Sequence, residues 1–169
     1  MIITSIFLTF VLVIVLSLTL YSVIYIDEDE YWHPELIASG NHHNFSGIIK
    51  INCDKPDLLL AESAYDSYQL SEHLSKKLID VYSHSPALGR YFITAEVISF
   101  SYRNNTASYN LCFRVPPETE EFMEYRMNKK FVLNILRQNI YDQEGMYNLD
   151  VPGCSIMTLD PTSLSLTQI

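Results

Sequence analysis

No charged side chain occurs before Asp27: the first 26 residues, MIITSIFLTFVLVIVLSLTLYSVIYI, contain no Lys, Arg, Asp, Glu or His. This run constrains the chain more than any other feature. About 25 apolar residues make roughly 37 Å of helix, more than the ~30 Å hydrocarbon core of a bilayer. Thr4, Ser5, Thr9, Ser17, Thr19 and Ser22 are tolerated there, because hydroxyls can bond back to helix carbonyls. A cleaved signal peptide is the competing reading. Against it stand the missing basic n-region, an apolar run longer than the ~7–15 residues of an h-region, and the lack of an A-x-A site. The sequence therefore predicts a retained transmembrane signal-anchor helix over 1–26. It holds no Gly or Ala, so the small-residue helix-pairing motif is absent.

All 20 acidic and 11 basic residues follow the run, with a formal net charge of −9. So acidic a segment is a poor partner for nucleic acid, which requires basic patches, and is repelled by an anionic leaflet. Asp27-Glu28-Asp29-Glu30 abuts the run, and no Lys or Arg follows until Lys50. Cytoplasmic flanks favour Lys and Arg, so the C-terminal bulk is expected on the lumenal or extracellular side. Two N-x-[ST] sequons, at Asn44 and Asn104, suit that side as glycosylation sites.

Beyond the run, residues 27–44 read as an acidic and polar juxtamembrane stalk. Tyr31 and Trp32 suit the membrane interface. Phe45–Asn52 reads as a strand with Phe45, Gly47, Ile49 and Ile51 on one side. Leu70, Leu74, Leu78 and Val81 mark one face of a helix, and Ser85-Pro86 forces a turn after it. Two β-rich runs follow, Ala95–Tyr102 and Ala107–Val115, joined by the polar hairpin Arg103-Asn104-Asn105-Thr106. In the second, Ala107, Tyr109, Leu111, Phe113 and Val115 alternate with Ser108, Asn110, Cys112 and Arg114, the pattern of a half-buried strand. Pro116-Pro117 ends it. Glu118–Glu121 then opens another helix, with its acids at the positive end of the helix dipole. Phe122, Tyr125, Phe131, Ile135 and Ile140 supply its buried side, with a break near Asn128. Asp142–Gly153 reads as a loop, Ser155–Leu159 as a short last strand, and 161–169 as a polar tail.

The fold class is thus α+β. The order strand, helix, strand, strand, helix, strand implies a ferredoxin-like split βαβ sandwich over 45–160, a four-stranded antiparallel sheet in order 4-1-3-2 with helices on one face. In that order the end of the first strand lies beside the start of the fourth. Cys53 and Cys154 fall at those two places, where a lumenal compartment permits a disulfide; two buried thiols are the alternative. Cys112, on the polar face of the third strand, is expected to remain free.

Chemistry leaves few marks. There is no CxxC pair, G-x-S-x-G, H-E-x-x-H, P-loop or G-x-G-x-x-G motif. His42-His43 in the stalk could meet a metal, but a solvated pair is the simpler reading without a supporting framework. Asp27–Glu30 lacks the carbonyl-rich loop of a calcium site. The expectation is no enzyme, no cofactor and no metal.

Leu78–Pro117 resembles a SEA domain, with KLIDVYSHSPALGRYF as its helix region and EVISFSYRNNTASYNLCFRVPP as its hairpin. The whole chain is similar to the TPA-induced transmembrane protein family, through MIITSIFL at Met1–Leu8, YIDEDE at Tyr25–Glu30, DVYSHSPALGRYF at Asp80–Phe92, FMEYRM at Phe122–Met127 and PGCSIMTLDPTSL at Pro152–Leu164. Family members carry a longer cytosolic segment before the span, whereas this sequence begins at it. The resemblance implies a single-pass protein of the endoplasmic reticulum membrane that presents a SEA-like interaction domain in the lumen. It also implies a protein partner, a secreted phospholipase that makes lysophosphatidic acid. The alternative it offers is a structural spacer at the plasma membrane. Many SEA domains cleave themselves at a Gly-Ser in the hairpin turn; here the turn carries Asn105-Thr106, so no self-cleavage is expected.

Overall fold

The computed structural model describes residues 2–24, 34–53, 64–101, 103–117, 124–125, 127–143, 146–151 and 154–169. It divides into two compact units, Met1–Leu36 and Ile37–Ile169. The readings placed on Asp27–Glu30, Tyr31, Trp32, Glu118–Glu121 and Phe122 lie outside the described residues.

In the first unit, helix α1 runs Ile2–Ile24, 23 residues without an acidic or basic side chain. Over residues 6–20, where side chains are described, every large apolar residue remains 42–71% exposed. Thr9 Oγ1 donates to the Ile6 carbonyl at 2.8 Å and Thr19 Oγ1 to the Leu16 carbonyl at 2.9 Å. Among the described residues taken alone, no helix is long and apolar enough to cross a membrane.

The second unit is an α+β sandwich. After the short helix α2 (Pro34–Ala38), which begins in the first unit, come strand β1 (Asn41–Cys53), helix α3 (Ala64–Ser83), strands β2 (Phe92–Ser101) and β3 (Thr106–Val115), helix α4 (Lys129–Asp142), and strands β4 (Met146–Val151) and β5 (Cys154–Gln168). The sheet is antiparallel and five-stranded, in order β2-β3-β1-β5-β4. Four contiguous strands, β5-β1-β3-β2, follow the order expected for a split βαβ unit. The expected count of four is corrected to five, because Met146–Val151 lies within the segment read as a loop and pairs with Cys154–Thr158 as an outer edge.

Two further boundaries move. The first strand starts at Asn41 rather than Phe45, since Asn41–Asn44 pairs with Val115–Cys112. The residues 161–169 read as a tail continue β5, with Ser165–Gln168 paired to Ile48–Phe45. Pro161 is accommodated by a break in register: Lys50 opposes Asp160 while Ile48 opposes Ser165. Asp160 closes this bulge by accepting from the Thr162 backbone N–H at 2.9 Å and the Thr162 hydroxyl at 2.6 Å. Those bonds hold its carboxyl below the usual range. The Lys50 N–H, deprived of a ladder carbonyl, donates to Ser163 Oγ at 2.8 Å.

One face of the sheet carries the core. Phe45, Ile49, Ile51, Ala107, Tyr109, Leu111, Phe113 and Val115 are buried on it, against Leu70, Leu74, Leu78 and Val81 of α3. Phe113 sits at the centre of an aromatic cluster, 5.9 Å from Phe45, 5.7 Å from Tyr82 and 5.6 Å from Phe92 between ring centroids. All three contacts are edge-on, the favourable arrangement for aromatic quadrupoles. The Tyr82 hydroxyl is satisfied inside the core by the Val132 carbonyl at 3.0 Å. Helix α4 starts where the break was expected: Asn128 caps it, its side-chain oxygen accepting from the Phe131 N–H at 2.9 Å. Its inward face is Val132, Leu136 and Ile140, with Phe131 and Ile135 only partly buried and Tyr125 exposed, a rotation of the expected stripe.

Candidate functional site

The residues singled out from the sequence occupy three places. Cys53, at the end of β1, and Cys154, at the start of β5, form a disulfide with Cα atoms 5.0 Å apart. Asn44 is exposed on the outer face of β1, opposite Cys112 of β3. Asn104 is exposed in the β2–β3 turn, followed by Asn105 in the left-handed region at φ 51°. Asparagine is the residue, after glycine, that adopts this conformation most readily. The Asn105 carbonyl accepts from the Ile51 N–H at 2.7 Å, tying the turn to β1.

The histidine pair of the expected stalk lies on β1, where adjacent residues point to opposite faces. The two imidazoles therefore cannot share an ion. His42 Nε2 accepts from the Arg114 guanidinium at 3.1 and 2.7 Å, and Arg114 also donates to the Ala38 carbonyl at 3.4 Å. His43 is half-buried at the end of the core face, and desolvation pushes its pKa down. Among the described residues no group of three His, Cys, Asp or Glu side chains could hold a metal. Cys112 is the free cysteine; burial raises its thiol pKa, partly opposed by the Arg114 charge.

Sequence reasoning missed a concavity on the second unit. A groove of about 460 Å³ lies between the end of α3, the turn after it and the outer side of α4. Val81, Pro86, Ala87, Phe131 and Ile135 supply apolar lining, with Asp80, Gln138 and Asp142 among the polar residues around it. The signal was present in two halves: Phe131 and Ile135 one turn apart, and Ser85-Pro86 ending α3 beside them. Only the tertiary fold joins them.

At the edge of this groove Asp80, His84 and the neighbouring Ser83 form an Asp, His and Ser grouping that invites a catalytic reading, and its geometry argues otherwise. His84 Nδ1 lies 2.9 Å from the Asp80 carbonyl, 3.1 Å from the Asp80 carboxylate and 3.3 Å from Ser83 Oγ. A hydrolytic triad needs its carboxylate on one ring nitrogen and its serine on the other. Here all three oxygens crowd Nδ1, so the imidazole caps the C-terminus of α3, with Nδ1 donating to a last-turn acceptor. Nearby, Lys77 Nζ donates to Gln143 Oε1 at 2.6 Å and lies 4.9 Å from the centroid of the Tyr147 ring, linking α3 to the end of α4 and to β4. Burial lowers the Lys77 pKa, with Asp80 opposing.

Residues 1–25 match the family model for the TPA-induced transmembrane protein N-terminal helical domain. The chain is 43% identical over 166 residues to the human TPA-induced transmembrane protein, a match covering 98% of this chain and 68% of that one. It is 37% identical over 166 residues, with the same coverage, to the TPA-induced transmembrane protein homolog of Mus musculus. The chain belongs to the TPA-induced transmembrane protein family.

Proposed function

We propose that this is a non-enzymatic, single-pass membrane protein whose α1 is a retained span and whose second unit is a SEA-like, uncleaved protein-binding module in the lumen of the endoplasmic reticulum. The observation that carries the reading is the match of residues 1–25 to the TPA-induced transmembrane protein N-terminal helical domain, with the charge-free sequence of α1 beside it. Its 23 residues amount to about 35 Å of helix. The helix is apolar on all sides rather than along one stripe, as a lipid-facing helix should be. Thr9 and Thr19 return their hydroxyls to the helix backbone, as a medium without water requires. The strand order β5-β1-β3-β2, with two helices on one face, supports a SEA-like module.

The groove between α3 and α4 is the docking face in this reading. Its apolar lining suits a bulky side chain, and Asp80 and Asp142 favour a basic neighbour on the same segment. The resemblance of the sequence makes a secreted phospholipase the first partner to test. Microsomes carrying the full chain, treated with protease and then with endoglycosidase H, test the topology. The second unit should survive protease until detergent is added, and should shift in mobility on deglycosylation. Cleavage in sealed vesicles would overturn the lumenal assignment, and resistance to endoglycosidase H would move the protein to the cell surface. Photocrosslinking from Ile135 to the phospholipase, lost on Phe131→Asp substitution, tests the docking face.

A further inference from the structure

A second concavity, also of about 460 Å³, lies on the other side of α4, between that helix and β5. It is lined by Lys129, Lys130, Leu133, Asn134, Arg137, Ser165 and Leu166. The protein holds 20 acids against 11 bases, yet three of those bases and no acid line this hollow. Folding does not account for them. Lys129 and Lys130 occupy the first turn of α4, which has no acidic residue, so both ammonium groups oppose the positive end of the helix dipole. Both are exposed, and neither ammonium is paired among the described residues. Arg137 is held in place, Nε donating to the Pro161 carbonyl at 3.3 Å and Nη1 to Asn134 Oδ1 at 2.8 Å. These bonds leave guanidinium N–H groups unused, since Arg carries five. Beside the bases the lining holds Asn134, Ser165 and two leucines: Leu166 is 7% exposed and Leu133 packs against the core.

We propose that this hollow binds an anionic amphiphile, a phosphate or carboxylate head on an alkyl chain, with Lys129, Lys130 and Arg137 meeting the head and Leu133 and Leu166 the chain. Lys129 and Lys130, without an ion-pair partner among the described residues, and the spare N–H groups of Arg137 supply the head-group attraction. A hollow of this volume falls in the range that receives small ligands. The proposal is independent of the protein-docking groove, which lies on different residues of α4.

The test uses the full chain in phosphatidylcholine nanodiscs, with leucine methyl NMR reading Leu133 and Leu166 during titration with octyl phosphate; empty discs correct for partitioning. Octyl phosphate should shift both leucines saturably, and affinity should rise up to about fourfold for each methylene added from butyl to octyl. Inorganic phosphate and octanol should each bind at least tenfold more weakly. Combining Lys129→Gln with Lys130→Gln, both exposed and therefore safe for folding, should weaken octyl phosphate about tenfold, and raised salt should act likewise. Repeating the titration in discs containing phosphatidic acid separates the sources: competition identifies a bilayer lipid as the ligand, and its absence a free amphiphile. Equal binding of octanol, equal binding of inorganic phosphate, or an undiminished affinity in the double variant would overturn the proposal. Displacement by a Glu-rich peptide as readily as by unlabelled octyl phosphate would overturn it too, by revealing a basic patch for acidic proteins.

Discussion

Gly47→Ala tests the core at the point where its geometry is most explicit. Gly47 faces Tyr109 across the β1–β3 ladder, and its backbone is not in the left-handed region. Alanine is therefore acceptable to the backbone, and a strand ordinarily gains about 0.5–1 kcal/mol from the exchange. The added methyl, however, would fall onto the Tyr109 ring, with Cε2 at 2.7 Å and the Cζ atom closer still. Carbon atoms rest at about 3.5–4.0 Å, so the ring must retreat by roughly 1 Å. Tyr109 is wholly buried and has nowhere to go without moving its neighbours. Overpacking of this kind costs about 1–3 kcal/mol. The net expectation is a loss of about 1–2 kcal/mol, or roughly 5 °C in Tm for a unit of this size. Urea unfolding of the full chain in nanodiscs, followed by near-ultraviolet circular dichroism, measures it. A second arm isolates the cause. Tyr109→Ala destabilises by itself, but in that background Gly47→Ala should become neutral or favourable by about 0.5 kcal/mol, a coupling of about 2 kcal/mol. If alanine stabilised the native sequence, or cost the same in both backgrounds, the account of Gly47 as a seat for the ring would fail.

Other outcomes follow from single features. The Tyr109 hydroxyl is buried without a hydrogen-bond partner among the described residues, and burial pushes its pKa upward; Tyr109→Phe should leave stability unchanged or raise it by about 1 kcal/mol in the same urea assay. Replacing both Cys53 and Cys154 by serine should cost about 2–4 kcal/mol and abolish the mobility difference between reduced and non-reduced samples, since the bridge spans 101 residues. His43 has a folded pKa depressed below 6.5 by burial. Its contribution is therefore complete above about pH 6.5 and declines as pH falls through the folded value, because the unfolded chain binds the proton first. Thermal melts between pH 7 and 5 should show a shallower acid decline in His43→Gln than in the native protein.

The parts legible in the sequence were those with strong local periodicity. The leucines of α3 and the alternation of β3 each repeat over several turns or pleats, and every one of those inward residues is buried. The positions of Cys53 and Cys154 followed from strand order alone. What escaped was held by partners distant in the chain. Asn41–Asn44 is polar and has weak strand preference, yet it pairs because Val115–Cys112 offers a ladder and Arg114 reaches His42. The Pro161 stop signal was real but local: the Asp160–Ser163 hydrogen bonds absorb the proline in a bulge and the strand resumes. Met146–Val151 has too few residues to declare itself, and it forms only against β5. The stripe of α4 was right at Ile140 but off by one position at Phe131 and Ile135, because these are as apolar as the residues that are buried. They instead line the groove, which is why the groove was invisible too.

The β1–β5 pair has a mechanical consequence. Antiparallel pairing puts Asn44 and Ile169 at one end of this seam, joined by the Ile169 N–H to the Asn44 carbonyl at 2.9 Å, and the Cys53–Cys154 bridge at the other. Tension applied between the chain ahead of Asn41 and Ile169 would load these rungs one after another, as a zip is opened, instead of shearing them together. Such a seam yields at low force but can part only as far as the covalent rivet at its far end. A pull of that kind would lengthen the molecule by a short, reversible step while leaving β2, β3 and the aromatic cluster closed.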